Sequence, residues 1–496
     1  MAVHLYAFPH FSALRSANEL PRILLTQEIV DRHTFRIDAR LGELGSRFDV
    51  ATTPDGRHFS NKAPGLSFLA VPAYAALRVF GRPAPRLATW VLRVFAVTLP
   101  ALLFLLGFWR LARRFAPQGG GGDDAPRRAA LLAYALGSMA LPYGILFFSH
   151  QLAAAAAGGA FVAAVALVRG AARRPDLLAL ATGALAGLAV LADYQAALAA
   201  AAVGVYLLWR SRRRLRDALL ALLGAAPFAA LLALYHRACF GSPFRTGYSF
   251  AADPAHRQGV LGVVGPNRAA FWHALLAPDN GLLVLSPWVL LAVAGGVAIA
   301  RDRAARARVG AEASVCAVVA ALYLLFLGSL VPEFGRAGWS VGPRYIAVAL
   351  PFLAWLAAAG LAAIGDRVAP LAAAYAAILV GVVVHVAAAT TFPHWPTAFR
   401  NPLYEVSFRA LGEGLAPHSL GTAVGLRGLA SLAPIYALVA ALCGVLLAGR
   451  SRRRWLATGA ALVIAVAIVL AYSRFPGTGP AGERPWSHVR AVWEPR

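Results

Sequence analysis

The sequence has 496 residues, of which 59% are hydrophobic and only 14% are charged, and its mean hydropathy is +0.63. Soluble globular domains carry about 25% charged residues, so this composition excludes an ordinary soluble protein and indicates an integral membrane protein. Apolar segments recur along the whole chain, which predicts a single polytopic domain over residues 1–496.

The positions of the arginines decide what the formal charge of +25 means. They cluster in short stubs between apolar segments, as the positive-inside rule expects for cytoplasmic loops. Such stubs offer no continuous basic face with interleaved aromatic residues, so no binding of nucleic acid is expected. The clusters are Arg110–Arg114, Arg169–Arg174, Arg210–Arg216, Arg301–Arg308 and Arg450–Arg454.

The cysteines and the first residues bear on processing. Cys239, Cys316 and Cys443 are odd in number and scattered, so they predict neither a disulfide framework nor a zinc site. We expect them to be packing residues. The segment Met1–Leu14 has no basic n-region and no cleavage site, so a secretory signal peptide is not expected there.

In chain order, the apolar segments predict an all-α polytopic bundle of about 12–13 membrane spans. Twelve spans place every arginine cluster on one side of the membrane. The longest connections on the other side are then the loops 236–280 and 391–431 and the tail 473–496, which are predicted to be extracytoplasmic. The predicted spans are Leu87–Trp109, Ala129–Phe148, Leu152–Val168, Leu178–Ala192, Ala196–Trp209, Ala218–Tyr235, Gly281–Ala300, Ala313–Val331, Tyr345–Ile364, Leu371–Thr390, Leu432–Ala448 and Trp455–Tyr472.

The first extracytoplasmic loop is predicted over residues 18–86. Within it, Leu66–Phe80 is apolar but shorter than the roughly 20 residues of a membrane span, which favours an interfacial or re-entrant helix. The preceding segment Val3–Leu14 is also too short for a span, so we expect a first helix that is cut short or a start site assigned too late. Between them, Asn18–Ala63 is a polar loop rich in ionisable groups.

Two residues of this polar loop stand out. Lys62 is the only lysine among 47 basic residues. An ammonium is a compact point charge, whereas a guanidinium prefers a planar, bidentate partner. The lysine therefore indicates a position that requires a compact cationic side chain; an accident of composition is the alternative. Glu19 follows the first apolar segment at the membrane surface, where an acid is costly to bury; a charge at the N-cap of an interfacial helix is its alternative.

Six stretches, taken in order, resemble successive motifs of bacterial multispanning glycosyltransferases. They are "ANELPR", "PDGRHFSNKAPGLSFLAVP", "LPYGILFFSH", "CFGSPFRTGY", "LAPDNGLLVLSPWVLL" and "GWSVGPRYIAVALPF". The chain is similar in these stretches to the GT-C superfamily, whose members include protein O-mannosyltransferases and lipid A aminoarabinose transferases. The resemblance runs from Asn18 to Phe352 and specifies no substrate.

The resemblance implies a reaction and a location. The reaction is transfer of a sugar, with inversion, from a polyprenyl-phosphate carrier to a lipid, glycan or protein acceptor of the cell envelope. It would take place among membrane lipids on the extracytoplasmic face of the bacterial cytoplasmic membrane. Such families carry an acidic pair after the first membrane helix, and here its first position is Asn18, which leaves Glu19.

The catalytic candidates follow from what sugar transfer needs, which includes a base for the acceptor hydroxyl. Glu19, together with Asp49, is the predicted base, and Asp55 is the alternative second carboxylate. Relatives often have an acid after "FFS", where this chain has His150, which is then either a metal ligand or a polar interfacial residue. No cofactor is certain, and the need for a divalent metal is left open.

The substrate-binding candidates must stabilise a departing phosphate and contact a sugar. Lys62 precedes a predicted interfacial helix, and Arg344 and Tyr345 open a predicted span on the same side, so all three are placed to face a lipid phosphate. An interface anchor is the alternative for Arg344. His150 and Tyr248 complete the predicted set, with Tyr248 offering an aromatic face to a sugar.

Two other functions remain as alternatives. A transporter of lipid-linked glycans would show ionisable residues at mid-membrane and an internal repeat, yet Arg93 is the one clear charge well inside a predicted span and no repeat is apparent. A non-catalytic scaffold in envelope polymer assembly would tolerate Glu19→Gln and Lys62→Ala, whereas an enzyme would not.

Overall fold

The computed structural model describes residues 2–493 except 12, 15, 17, 45–48, 118–123, 172, 254, 256–257, 261, 332–337 and 450. The described chain is a bundle of helices with one short antiparallel ribbon, in which strand β1 (Val50–Thr52) pairs with strand β2 (His58–Ser60). The expected all-α polytopic class is therefore confirmed. The ribbon lies in the first loop.

The longer helices form the membrane bundle. In chain order they are Pro85–Phe115, Ala125–Ala135, Ser149–Val168, Pro175–Ala192, Ala197–Arg210, Arg214–Phe240, Pro287–Arg301, Arg303–Leu327, Arg344–Ile364, Val368–Thr390, Gly428–Ala448 and Arg452–Tyr472. The shorter helices are Ala2–Tyr6, Leu20–Arg32, Asp38–Glu43, Gly65–Arg78, Ala140–Gly144, Tyr194–Ala196, Gly247–Phe250, Arg268–Leu276, Leu282–Leu285, Leu403–Phe408, Arg409–Gly412, Leu420–Ala423, Gly479–Gly482 and Glu483–Val492.

The number of full-length spans differs from the expected 12–13. Nine helices in the described part of the chain have the length and apolar composition to cross a membrane, and Gly65–Arg78 and Pro287–Arg301 are apolar but shorter. Three predicted spans, Ala129–Phe148, Ala196–Trp209 and Gly281–Ala300, correspond to helices that are short or interrupted. The predicted segments are apolar, as their composition shows, but hydropathy does not reveal where a helix ends within an apolar segment.

The break in the predicted span Ala129–Phe148 has a visible cause. The helix ends at Ala135, and the carbonyl oxygen of Gly137 accepts hydrogen bonds from Trp288 Nε1 at 2.7 Å and from Ser286 Oγ at 3.3 Å. The Ser138 hydroxyl in turn donates to the Tyr134 carbonyl at 2.6 Å. Side chains thus satisfy backbone groups that a continuous helix would have paired, which makes the break tolerable inside a membrane protein.

Aromatic packing ties the centre of the bundle together. The rings of Phe108 and Trp355 stack with centroids 5.5 Å apart, and Tyr134 stacks on the other side of Phe108 at 5.3 Å. Trp355 also donates its indole N–H to the Phe108 carbonyl at 3.1 Å. Because these residues come from three different helices, the stack fixes the relative positions of Pro85–Phe115, Ala125–Ala135 and Arg344–Ile364.

Loops that the sequence predicts as cytoplasmic contact each other at one end of the bundle, which we call the arginine end. Arg169 donates two hydrogen bonds of 2.8 Å to the buried Glu312, and Arg308 donates to the Arg114 carbonyl at 3.0 Å. The Ser149–Val168 helix leads from this end to His150, about 30 Å away at 1.5 Å per residue. The grouping agrees with the predicted topology, while its orientation in the membrane stays a prediction.

The first loop packs as two helices against the bundle. Leu20–Arg32 lies beside Gly65–Arg78, and the Ser67 hydroxyl donates to the Arg22 carbonyl at 2.9 Å. The second of these helices has 14 residues, as expected for an interfacial element. The predicted apolar segment Val3–Leu14 is helical only over Ala2–Tyr6; Ala7 then forms a β-bridge with Ser419.

Candidate active site

A small polar cavity lies at the end of the bundle opposite the arginine end, and we call it the central cavity. Residues from the first loop, three bundle helices, the short connection after Ala192 and the 241–286 connection meet there. Its polar and aromatic lining consists of Asn18, Arg22, Lys62, Ser149, His150, Asp193, Tyr194, Tyr248, Arg344 and Tyr345. The cavity therefore brings together all five predicted substrate-binding residues, although Lys62 and Tyr345, the first and last of them, lie far apart in the sequence.

Three cations face this cavity, and the first is Arg22. It is 3% exposed, and its Nη1 donates to the carbonyl and to the side-chain oxygen of Asn18 at 2.6 and 2.5 Å. Its Nη2 donates to Ser149 Oγ at 3.0 Å. Asn18, at the position where the resembled families have an acid, thus orients a guanidinium without neutralising it.

Lys62 is the second cation. Its ammonium lies 2.6 Å from Asp49 Oδ1 and 5.6 Å from the ring centroid of Tyr248, and the side chain is 4% exposed. Burial lowers the pKa of Lys62 to about 8, since Asp49 only partly compensates and Arg22 and other nearby cations disfavour the charge further. The helix that follows begins at Gly65, so Lys62 is not part of the helix terminus and reaches the cavity with its side chain alone.

Two glycines bring the lysine segment to the cavity. A Cβ at Gly65 would lie 2.5 Å from the Leu191 carbonyl carbon, and a Cβ at Gly247 would lie 2.5 Å from Asn61 Cα. Real Cβ atoms do not approach other atoms so closely, so only glycine permits these backbone contacts. The contacts place Lys62 next to Asp193 on one side and Tyr248 on the other.

Arg344 is the third cation. Its guanidinium stands 5.1 Å above the ring centroid of Tyr345 and donates to the Tyr345 hydroxyl at 3.3 Å. The Nε of Arg344 is buried without a hydrogen-bond partner among the described residues. The rings of Tyr345 and His150 meet edge to face at 5.7 Å. Arg344 therefore keeps donor capacity for an anion in the cavity.

His150 and Asp193 form a close pair at the cavity wall. His150 is 3% exposed, and its Nδ1 lies 2.7 Å from Asp193 Oδ2, close but not aligned as an ideal hydrogen bond. Asp193 also accepts from Ser149 Oγ at 3.3 Å. Burial alone would raise the pKa of Asp193, but His150 and Arg22 hold it below its usual range, so the carboxyl is ionised.

Asp49 lies behind Lys62 and is 8% exposed. Burial would raise the pKa of this carboxyl, but the adjacent ammonium, helped by Arg344 and Arg22, lowers it below its usual range. The residue predicted as part of the base is thus the counter-ion of the lone lysine. The alternative carboxylate, Asp55, lies outside the cavity, where it pairs with Arg57 on the exposed ribbon.

The other predicted base, Glu19, faces away from the central cavity. Its two oxygens accept hydrogen bonds from Arg93 at 3.0 and 2.8 Å, and one also accepts from the Phe147 N–H at 2.5 Å. Burial would raise the pKa of Glu19, but Arg93 and His394 lower it. This geometry argues against the predicted role, because a carboxylate held by a bidentate guanidinium is a weak proton acceptor. Arg93, the charge inside a span, has a structural partner here.

The remaining ionisable groups of the first loop form a scaffold beside the cavity. Arg40 binds Glu28 at 2.7 Å and Asp31 at 2.9 Å, and Arg78 binds Asp31 at 2.6 Å. Glu28 is 1% exposed, so this carboxylate is part of the packed structure of the loop. The network joins the two helices of the loop on which Arg22 and Lys62 depend.

Sequence reasoning missed four residues that the structure places in the cavity: Arg22, Ser149, Asp193 and Tyr194. Arg22 and Ser149 lie within two of the quoted motifs, "ANELPR" and "LPYGILFFSH", but the motifs did not indicate a role for either residue. Asp193 lies outside the six motifs. Its signal was that an acid directly follows an apolar helix on the same predicted side as Lys62.

A divalent metal fits the cavity poorly. Within the described ranges no group of three His, Cys, Asp or Glu residues is arranged to hold a metal ion. The nearest approach to a ligand set is the pair His150 and Asp193, which is surrounded by Arg22, Lys62 and Arg344. Hard cations prefer several oxygen ligands. The positive charges of Arg22, Lys62 and Arg344 would also repel a metal ion in this cavity.

An apolar groove of about 710 Å³ opens beside the cavity. The helices Pro175–Ala192, Ala197–Arg210 and Arg214–Phe240 form its walls, and its lining is almost entirely Ala, Gly, Val, Leu and Phe. At its polar end, His236 shares a hydrogen bond of 2.9 Å with Tyr194, which lines the central cavity. A ligand with a charged head and a long apolar tail would fit the two spaces together.

Comparisons with known proteins show similarity in structure only. No model of a protein family matches the sequence, and no curated protein is similar to it in sequence. ArnT from Cupriavidus metallidurans superposes with a TM-score of 0.50 in the apo state, at 18% identity over 97% of this chain and 74% of that chain. The same protein bound to undecaprenyl phosphate gives 0.51, at 16% identity over 98% and 76%.

A third similar structure is the oligosaccharyltransferase of Archaeoglobus fulgidus in complex with Zn and sulfate. Its TM-score is 0.50 at 16% identity, and the match covers 80% of this chain and 51% of that chain. At these identities the comparisons establish only the fold, a polytopic helical fold that this chain shares with ArnT and the oligosaccharyltransferase.

Proposed function

From the GT-C fold and the charges of the central cavity, we propose that this protein is a membrane glycosyltransferase. It transfers a sugar from a polyprenyl-phosphate carrier to an envelope lipid, glycan or protein, with inversion, on the extracytoplasmic face of the bacterial cytoplasmic membrane. The observation behind this proposal is that three cations, Arg22, Lys62 and Arg344, line a cavity that adjoins an apolar groove.

The cations suit a phosphate that gains charge as its bond to the sugar breaks. Preorganised positive groups in a buried site stabilise such charge far more than they would in water. Asn18, Ser149 and Tyr345 hold the guanidinium groups without neutralising them. Within the described part of the chain, Lys62 is the one cation of the three with a direct carboxylate partner, Asp49, and this pair can open toward a phosphate at the cost of one ion pair.

The groove suits the carrier's apolar chain. It is lined by small and aliphatic side chains, and its polar end reaches the cavity through Tyr194 and His236. An isoprenoid chain that enters the groove leaves one apolar medium, the bilayer, for another, so packing contacts and not the hydrophobic effect would hold it there. That ArnT, which shares the fold, has been captured with undecaprenyl phosphate supports this class of carrier.

The proposal is tested by deleting the gene and comparing envelope glycans, glycolipids and glycoproteins by mass spectrometry. We expect one modified species to disappear, to return with the native protein, and to stay absent with Lys62→Ala at equal protein level. Arg57→Ala removes a cation from the same loop but outside the cavity, so it should restore the species fully. Full complementation by Lys62→Ala would instead indicate a scaffold.

A binding measurement separates the carrier from the reaction. Purified protein in nanodiscs is titrated with undecaprenyl phosphate, and binding is followed by thermal stabilisation. We expect stabilisation of the native protein and of Arg57→Ala, and a large loss in Lys62→Ala. Absence of any stabilisation in the native protein would contradict a polyprenyl-phosphate carrier.

A further inference from the structure

His150 lies in the wall of the central cavity, and neither of its ring nitrogens makes an aligned hydrogen bond within the described residues. Nδ1 nevertheless has a carboxylate oxygen of Asp193 at 2.7 Å, whereas Nε2 has no ion-pair or hydrogen-bond partner there. A buried polar nitrogen without a partner is costly. Such an atom in the wall of a cavity therefore points to a ligand that supplies the missing hydrogen bond.

Asp193 determines which nitrogen stays available. A carboxylate beside Nδ1 favours the tautomer with its proton on Nδ1, which leaves the lone pair on Nε2. The carboxylate is itself positioned, since it accepts from Ser149 Oγ and from Gln195 Nε2 at 3.4 Å. Ser149 is held in turn by Arg22. The loose alignment of the His150–Asp193 contact is common before substrate binds.

The two carboxylates that the sequence suggested as bases are both occupied by cations. Arg93 donates two hydrogen bonds to Glu19 outside the cavity, and the ammonium of Lys62 lies 2.6 Å from Asp49 Oδ1. A direct cationic partner lowers the basicity of a carboxylate. Asp193 is ionised too, but it already accepts hydrogen bonds from Ser149 and Gln195. His150 is therefore the described group of the cavity wall whose lone pair stays available.

We propose that His150 is the general base of the transfer and that Asp193 is its positioning residue. This inference rests on the proposed function. His150 Nε2 takes the proton of the acceptor's nucleophilic group, whose electron pair forms the new bond to C1 of the sugar. The bond from C1 to the carrier phosphate oxygen breaks, and its electron pair leaves with that oxygen beside Lys62, Arg22 and Arg344. The imidazolium that results is stabilised by Asp193.

Two variants test the base. His150→Asn removes basicity, whereas the longer carboxylate of His150→Glu can place a proton acceptor near the position of Nε2. In the deletion strain, His150→Asn should yield at least about 100-fold less of the envelope species than the native protein does, and His150→Glu should restore a clearly larger amount. His488→Gln alters an exposed histidine of the tail helix and serves as control. Equal, low yields from the Asn and Glu variants would overturn the proposal.

Asp193 is tested by non-additivity. Residues that act as a unit lose function together, so Asp193→Asn should lower the yield in the native background and cause little further loss in His150→Asn. Additive losses would show that Asp193 acts independently of His150, which contradicts the positioning role. Protein amount and melting temperature are measured for every variant so that misfolding is not read as lost chemistry.

Binding of undecaprenyl phosphate distinguishes a base from a phosphate ligand. We expect His150→Asn to bind this probe as the native protein does, because a base acts on the acceptor. A variant that loses binding would show that Nε2 serves the phosphate, and the proposal would fall. If His150→Asn forms normal product while Lys62→Ala forms none, the base assignment fails and the proposed function stands. If both form normal product, the proposed function fails.

Discussion

Lys62 is the residue in which composition and structure can be compared most directly. It is the only lysine of the chain, and it is also the only cation of the cavity that directly contacts a carboxylate of the first loop. The ammonium fits between Asp49 and the face of Tyr248. A guanidinium is larger and planar, so the space favours a point charge.

Replacement of Lys62 should separate charge from shape. Lys62→Ala should cost about 2–4 kcal/mol of transition-state stabilisation, the scale of one preorganised charged group. Lys62→Arg should recover only part of this, because the fork cannot approach a phosphate from the same directions. The measurement is the rate of product formation in cells or membranes. An arginine variant with native activity would show that the lysine is an accident of composition.

The lowered pKa of Lys62 predicts a pH dependence. Because its pKa is about 8, the ammonium is present below that pH and is lost above it. The affinity for undecaprenyl phosphate should therefore fall as the pH rises from about 7 to about 9, where the phosphate itself no longer titrates. Lys62→Arg should remove most of this dependence, since a guanidinium stays charged. An unchanged slope in that variant would assign the titration to another group.

Glu19 should prove structural. Glu19→Gln leaves the buried Arg93 uncompensated, which should lower the free energy of unfolding by about 3–5 kcal/mol. The double variant Glu19→Gln/Arg93→Gln removes both charges and keeps an acceptor for the Phe147 N–H, so it should recover much of the stability. Product formation decides the role: a double variant that is stable but inactive would reinstate Glu19 as the base.

At the level of elements, helix crossings depend on small residues that hydropathy does not reveal. A Cβ at Gly295 would overlap the Leu356 carbonyl oxygen, and one at Gly360 would overlap the Leu291 carbonyl oxygen. Pro287–Arg301 and Arg344–Ile364 therefore cross with their backbones in contact, as small residues allow in membranes. This crossing supports the helix that presents Arg344 and Tyr345 to the cavity.

Gly295 and Gly296, two neighbouring glycines of the helix Pro287–Arg301, provide a matched test. Gly295→Leu should destabilise the protein by about 3 kcal/mol or more, because the helices must separate. Gly296→Leu should have little effect, since nothing lies within 4 Å of its Cβ position. Melting temperatures in detergent measure the difference. Equal melting temperatures for the two variants would show that the crossing is looser than described.

At the level of the whole molecule, the arginine end and the central cavity lie at opposite ends of the bundle. Predicted cytoplasmic loops contact each other at Arg114, Arg169 and Arg308, while the first loop and the 241–286 connection meet at the central cavity. Such segregation is what the positive-inside rule produces in a folded polytopic protein. It predicts that the cavity faces away from the cytoplasm.

The orientation is tested with introduced cysteines. Asp55 is half exposed at the cavity end, so Asp55→Cys should react with an impermeant maleimide in whole cells, after permeabilisation of any outer membrane. Arg453→Cys, exposed at the other end, should react only after lysis. The three native cysteines are buried and give little background. The reverse pattern would invert the topology and move the cavity to the cytoplasm.

The sequence by itself determined the class of the protein and predicted half of the polar and aromatic residues that line the cavity. Hydropathy and arginine spacing are local properties, so they identify apolar helices and sort loops by side without knowledge of packing. Lys62, Arg344 and Tyr345 were predicted from their places at the ends of apolar helices, Tyr248 from its aromatic face, and His150 from its place in a motif of the resembled families. Local signals could not show the break at Gly137, because hydropathy averages across it.

Only the tertiary structure decided which of the polar groups act on one another. Glu19 and Asp49 look alike in sequence, yet one meets Arg93, 74 positions away, and the other meets Lys62. No sequence motif pairs Asp193 with His150, and only the fold places its Oδ2 2.7 Å from His150 Nδ1. The basicity of a carboxylate or an imidazole depends on the charges and burial around it, and distant segments of the chain supply those neighbours. The chemistry of the cavity is therefore a property of the fold and not of any single motif.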